Sequence, residues 1–401
     1  MAKAFRSLKH PNYKWWAIGA LFSNIGTWMQ RTGQDWLVLT ELTQNDPSAL
    51  GIVLALQFGP QLLLLPVTSY IVEQYDRRKI LIITQIAMCL LALALGTLTL
   101  TGLITLFQVY GFALALGCVT AFDATARQTF VSELVEGSDL SNAVALNSTS
   151  FNLARLIGPA IAGILIAIIG SGWIFILNAC SFVAMLWALL ALNRALLIPK
   201  TKTPIRFKQI IDGVLYVWNK PELRILFVML FLVGAFGLNF TVFISTITVE
   251  VLQLSSKHYG ALVSTLAIGS VIGSLLAAKR SEPTLSFIVL GASAFACSLL
   301  IGSFATNYWL FSIALVACGI FVQIFNTTTN ALVQLSIPAE VRGRVMAFYL
   351  SISMGSTLIG APIIGFIASH FSGPASMQAG GIASLFCAML GCYAYLTNKR
   401  K

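Results

Sequence analysis

Apolar runs of twenty or more residues recur along the whole chain, and the charged residues fall mostly in short clusters between them. The runs cover about 15–40, 48–72, 79–100, 102–124, 142–169, 172–194, 223–249, 256–279, 284–304, 307–330, 342–370 and 373–396. A helix needs roughly 20 apolar residues to cross the hydrocarbon core, so each run predicts a transmembrane helix. Barrel strands would instead alternate over about ten residues, a pattern these continuous Leu-, Ile-, Ala- and Gly-rich stretches do not follow. With 401 residues, 57% hydrophobic and 10% charged, the chain has no length left for a separate soluble domain. The expectation is an all-α membrane protein of twelve transmembrane helices.

The net charge of +11 is explained by where the basic residues fall. No basic run interleaves with aromatics as a nucleic-acid groove requires, so no nucleic-acid partner is expected. When loops are numbered alternately from the N-terminus, Lys257 is the only Lys or Arg in a loop of the second side, and Arg31 and Arg155 fall within runs. All the others lie on the first side, which the positive-inside rule assigns to the cytoplasm together with both termini. The first run is too long for a signal peptide and carries Arg31 and Asp35, so it reads as a retained helix.

A basic connection at 195–222, holding Pro199, Pro204 and Pro221 with an amphipathic stretch from Phe207 to Trp218, divides the chain. The expected domains are an N-terminal six-helix bundle (1–194), this cytoplasmic linker (195–222) and a C-terminal six-helix bundle (223–401). One offset of 203 residues aligns Arg77 with Arg280, Phe122 with Phe325 and Pro159 with Pro362. Such parallel repeats are how the two pseudo-symmetric halves of a rocker-type secondary transporter read, with the substrate path between them.

The loop Ser69-x-x-x-Glu73-Gln74-Tyr75-Asp76-Arg77-Arg78 and the stretch Leu153-Ala-Arg-Leu-Ile-Gly-Pro-Ala-Ile-Ala-Gly163 carry a resemblance to the major facilitator superfamily. The first is similar to the superfamily's second-to-third loop motif, with Ser69, Glu73 and Gln74 as departures. The second is similar to the Gly-Pro motif of its exporters, here Gly158, Pro159 and Gly163, and is echoed by Pro362. The stretches around Arg31 and Asp35, around Asp123 and Arg127, and EVRGRVMAFY resemble its branch of small-molecule secretion proteins that includes an enterobactin exporter. The resemblance implies the major facilitator fold and export of a siderophore-like or amphiphilic drug-like molecule, with a lipid or lysolipid flippase of the same fold as the alternative.

Ionisable groups inside a bilayer cost at least about 2.5–3.5 kcal/mol each and mark candidate sites. Arg31 and Asp35, spaced i and i+4, share a helix face with Asn24 and Trp28, so Asp35 with Arg31 is the expected proton-coupling pair. Arg155 offers a fixed positive charge to an anionic substrate, and Asn24, Trp28, Asn239 and Asn326 are candidate substrate contacts. Glu73, Asp76, Arg77, Arg78, Asp123 and Arg127 are candidate loop-motif or gating residues, although Asp123 and Arg127 also fit a cytoplasmic-end salt bridge. Seven Cys without a CxxC pair and three dispersed His argue against a metal site, a cofactor or an enzyme. No GxxxxGK[ST] nucleotide loop occurs. The expected partners are a small-molecule substrate, protons and membrane lipids, and the expected state is a monomer in a bacterial inner membrane.

Overall fold

The computed structural model describes residues 3–135, 139–198, 214–279 and 283–398. Most of the 195–222 connection, Arg280 and part of the expected amphipathic stretch lie outside them. The described chain is helical almost throughout: α1 Pro11–Trp36, α2 Pro47–Leu63, α3 Leu65–Gln74, α4 Arg77–Leu100, α5 Leu106–Leu134, α6 Leu140–Ile169, α7 Ser171–Ala191, α8 Pro221–Leu232, α9 Phe240–Thr246, α10 Ser256–Ala278, α11 Leu285–Ser303, α12 Tyr308–Leu335, α13 Ala339–His370 and α14 Gly373–Asn398. Large apolar side chains such as Ile83, Leu90, Trp187, Leu290 and Ile382 face outward. A lipid-facing surface accounts for that exposure, and the helix is the form that leaves no backbone group unpaired there.

Among the described residues ten segments are long and apolar enough to cross a membrane, with α8 and α9 counted as one, and α2 with α3 makes an eleventh as a bent pair. The first expected span, α1, runs 26 residues, about 39 Å at 1.5 Å per residue. It falls outside that group because Lys14, Arg31, Asp35 and several Asn and Gln make it polar. The second expected span breaks at Leu64, where Pro60 and Pro66 each remove a helical donor. The seventh is interrupted by a π-turn at Val233–Gly237 and a non-helical step at Leu238 and Asn239.

Two compact units divide the chain. The first comprises Met1–Leu42 and Leu63–Ile205, and the second Thr43–Leu62 and Arg206–Lys401. In the first, α1 meets α7 along glycines seven residues apart. A Cβ at Gly19 would meet Ala188 at 2.7 Å, one at Gly26 would strike Ser181 and Asn178, and one at Gly33 would meet Ile174 at 3.2 Å. Small residues at helical repeat let two backbones approach where lipid offers no hydrophobic drive. Beside this seam Asn178 donates to Gln30 Oε1 at 2.6 Å, both buried.

The second unit uses the same device. Gly269 and Gly273 of α10 lie against the backbone of Val316 and Ile320 on α12. Gly360 of α13 lies so close to the Ala235 carbonyl in the π-turn that any Cβ would overlap it. Gly51 of α2 meets Ala361, and Gly59 meets Leu358.

Gly360→Ala therefore forces backbone apart and is expected to cost about 1–3 kcal/mol. Gly111→Ala, with nothing within 4 Å of the added methyl, should stabilise helix α5 by up to about 1 kcal/mol. Thermal unfolding of the detergent-solubilised protein, monitored by helical circular dichroism, should show a lower midpoint for the first variant and an equal or higher one for the second.

Candidate functional site

Residues of α1 and α6 build the site in the first unit. Gly158 is what lets these helices touch, since a Cβ there would lie 2.7 Å from Trp28 Cβ and 3.1 Å from the Ile25 carbonyl. Below it, Met29, Ala162, Ile166 and Ile174 close an apolar cluster. Gly163 is buried beside them. Pro159 continues the helix without an N–H, so the Arg155 carbonyl four residues earlier has no helical donor.

The indole of Trp28 is the meeting point. The Phe151 ring meets it edge-on at 5.8 Å. The guanidinium carbon of Arg31 lies 4.9 Å from its centroid, and that of Arg155 lies 5.9 Å away from the other helix. Contacts of this kind contribute about 0.5–2 kcal/mol, the more as water is excluded. Arg31 is attracted by Asp35 and repelled by Arg155, and Asp35 is only 6% exposed. Two planar forks at one ring, with one carboxylate near, leave the cluster cationic and suited to a flat anion that accepts paired hydrogen bonds. Asn24 lies half-buried one turn from Trp28 on α1.

A second polar cluster sits between α1, α4 and α5. Asp123 Oδ1 accepts from Thr84 and from Gln85, each at 2.8 Å, and Oδ2 accepts from Arg127 Nε at 2.5 Å. Arg127 also donates to Ser23 at 2.9 Å and stands over Trp16 at 6.0 Å. The side chains of Asp123 and Arg127 are 7% and 15% exposed, because α5 continues to Leu134, ten residues past the expected end of that span. Asp123 is thus buried and Arg127 half-buried, and the worth of an exposed salt bridge does not apply to the pair. Thr84, Gln85 and Ser23 escaped sequence reading, since lone polar residues in apolar runs do not reveal which helix they face.

The loop-motif residues find their partners inside the first unit. Asp76 caps α4 by accepting from the Lys79 amide at 3.2 Å. Arg77 donates to Glu133 at 2.7 Å on α5. Arg78, 5% exposed, donates to the carbonyls of Leu189 and Leu190 at the end of α7, where a cation complements the helix dipole. Glu73 is half-buried on the last turn of α3.

In the second unit Asn239 is buried in the break before α9, and its amide donates to the Ala235 carbonyl at 2.6 Å, bridging the interruption. The Asn326 carbonyl accepts from the Tyr349 hydroxyl at 3.3 Å. Glu41 and Glu250 hold helix starts: Ser171 of α7 donates to Glu41 at 3.0 Å and the Gly373 amide of α14 donates to Glu250 at 3.1 Å.

The N-terminal segment adds a cluster that no motif signalled. Arg6 at 3.1 Å, Lys9 at 2.8 Å and His10 at 3.0 Å converge on Asp139 ahead of α6, while Ser7 bonds to Asn142 and to the Asp139 carbonyl. The bonds from Lys9 and His10, aided by the Arg6 charge and opposed by partial burial, hold the Asp139 carboxyl below its ordinary value of 3.8.

The family model of the transmembrane secretion effectors matches residues 2–400. The Staphyloferrin A transporter of Staphylococcus aureus is 27% identical over 94% of each chain. The enterobactin exporter EntS of Shigella flexneri is 24% identical over 85% of this chain and 82% of its own. Among solved structures, a POT family transporter in complex with a thioalcohol-conjugated peptide superposes with a TM-score of 0.76 at 11% identity, covering 96% of each chain, which speaks to fold alone.

A carboxylate held below its unfolded value stabilises above that value and loses its effect as pH falls through the lower, folded one. Hydrogen exchange should accordingly find residues 3–9 protected from neutral pH down to about 4, with protection lost only in stronger acid. Asp139→Asn should remove that protection already at neutral pH.

Proposed function

Because the chain belongs to the transmembrane secretion effector family of the major facilitator superfamily, we propose that it exports a small anionic molecule of siderophore-like or amphiphilic drug-like chemistry by alternating access. It is a multi-pass membrane transporter of small molecules and not an enzyme. The observation that carries the anionic reading is the Trp28 indole between the guanidinium groups of Arg31 and Arg155. An aryl carboxylate or catecholate there gains stacking on the ring and bidentate hydrogen bonds from a fork, which a Lys ammonium does not reproduce.

Transport is driven in this reading by proton antiport through Asp35. Its carboxylate, buried one turn from Arg31, exchanges the Arg31 attraction for a proton as access alternates, and releases Arg31 to the anion. Asn24 lies on the same face and adds hydrogen bonding, and Asn239 and Asn326 do so from the C-terminal bundle. The loop residues Glu73, Asp76, Arg77 and Arg78 and the pair Asp123 and Arg127 stiffen the cytoplasmic end that gates entry, while Gly158, Pro159 and Gly163 set the packing of α6. The twelve spans form bundles at 1–194 and 223–401 around the 195–222 linker, with both termini cytoplasmic, in the inner membrane, and the chain works as a monomer.

Cells lacking the protein should retain the exported compound, and the wild-type gene should restore efflux. Impaired uptake in that strain, or retention of lysolipid in its place, would overturn the reading. Arg155→Lys should lower efflux of an anionic substrate about tenfold, the effect of roughly 1.4 kcal/mol, while sparing a neutral one. Equal loss for both would make Arg155 a packing element. Asp35→Asn should abolish uphill transport in proteoliposomes with an imposed pH gradient and leave substrate binding within about threefold.

A further inference from the structure

The second unit carries a cleft of about 180 Å³ where α8 meets α13, next to the turn that leads in from residues 214–218. Its wall is apolar: Val217, Trp218, Phe227, Phe231, Phe348 and Ile352. The rings of Phe227 and Phe348 stack at 5.1 Å and 19° and form its floor. Arg224 is the one charged residue on the lining and is itself exposed. None of the residues assigned above to substrate or proton lies on it.

The surroundings have the chemistry of a membrane interface. Trp218 is 61% exposed and Leu215 is exposed one turn before it. Lys220 stacks over Tyr216 at 4.8 Å. Aromatic rings beside cations are the residues that anchor protein at headgroup level. Beside Arg224 on the lining, Lys220 and Glu222 flank the start of α8, and all three are exposed. Helix α8 begins at Pro221 with no side chain capping it, and its first amides add to the attraction for an anion.

We propose that this cleft binds one anionic phospholipid from the adjoining leaflet. An acyl chain lies on the stacked rings of Phe227 and Phe348, and the headgroup phosphate is held by Arg224 and Lys220. The apolar wall by itself would accept any lipid. The two cations, opposed by Glu222, select the anionic one, a net charge of one near a membrane surface contributing about fivefold in affinity.

Native mass spectrometry of the full chain in detergent tests this with added dioleoyl phosphatidylglycerol or dioleoyl phosphatidylcholine. The expected result is a first bound phosphatidylglycerol at least about fivefold tighter than phosphatidylcholine. Arg224→Gln should bring the two within about twofold. Val228→Trp, which fills the cleft from its exposed rim, should weaken the first binding step for both lipids, and Ile352→Trp serves as a second filling variant should Val228→Trp elute as aggregate. No preference for phosphatidylglycerol in the wild-type protein would overturn the proposal. So would a preference that survives both Arg224→Gln and the filling variant, since the lipid would then bind elsewhere. The readout needs no transport substrate, so failure of the export reading leaves this result interpretable.

Discussion

Inside hydrocarbon a backbone amide has no water to turn to, and the rest of this structure follows from meeting that demand with helices. Helices in turn must pack without the hydrophobic effect that drives association in water, so close backbone approach becomes the main source of attraction. The chain supplies it with Gly19, Gly26 and Gly33 on α1, with Gly158 on α6, and with Gly269, Gly273 and Gly360 in the second unit. The seam of α1 on α7 has a further consequence. By assigning one face of α1 to α7, it turns Trp28 and its neighbours toward α6, where Gly158 admits them.

The two charged clusters of the first unit are held in different ways. Asp123 receives three hydrogen bonds, one of them from Arg127. At about 1.5–3 kcal/mol for a bond to a charged group, these offset the desolvation of a buried carboxylate. That cluster is a stable tie among α1, α4 and α5. Around Trp28, by contrast, two like charges share one ring, and Asp35 attracts Arg31 while Arg155 repels it. In the reading proposed above, that imbalance is what an anionic substrate meets.

The two halves of the sequence repeat the same local devices. A π-turn closes the first span of each, at Leu37–Leu42 and Ile247–Val251, and a residue in the left-handed region follows in each, Gln44 and Gln253. Thr105 caps α5 and Asn307 caps α12. Glu41 and Glu250 hold the starts of α7 and α14. Pro159 and Pro362 lie inside α6 and α13, each removing one helical donor. The polar chemistry is not repeated: the charges of the Trp28 and Asp123 clusters belong to the first unit alone, and the second keeps helix-break and carbonyl contacts at Asn239 and Asn326.

Hydropathy and charge placement were enough to determine a polytopic helical membrane protein, its basic loops and its internal duplication, because lipid imposes the same length and polarity rules on every span. Helical spacing likewise put Arg31 on the face of Trp28, and Asp123 one turn from Arg127, since such neighbours depend on a single helix. Which helix each face meets is another matter. That Arg155 reaches Trp28, that Ser23, Thr84 and Gln85 surround Asp123 and Arg127, that Asp139 gathers Arg6, Lys9 and His10, and that Glu41 and Glu250 anchor distant helices were decided only in the tertiary structure. Lateral packing in a membrane is governed by which small residues oppose which backbones across the bundle, and no periodicity within one helix encodes its partner.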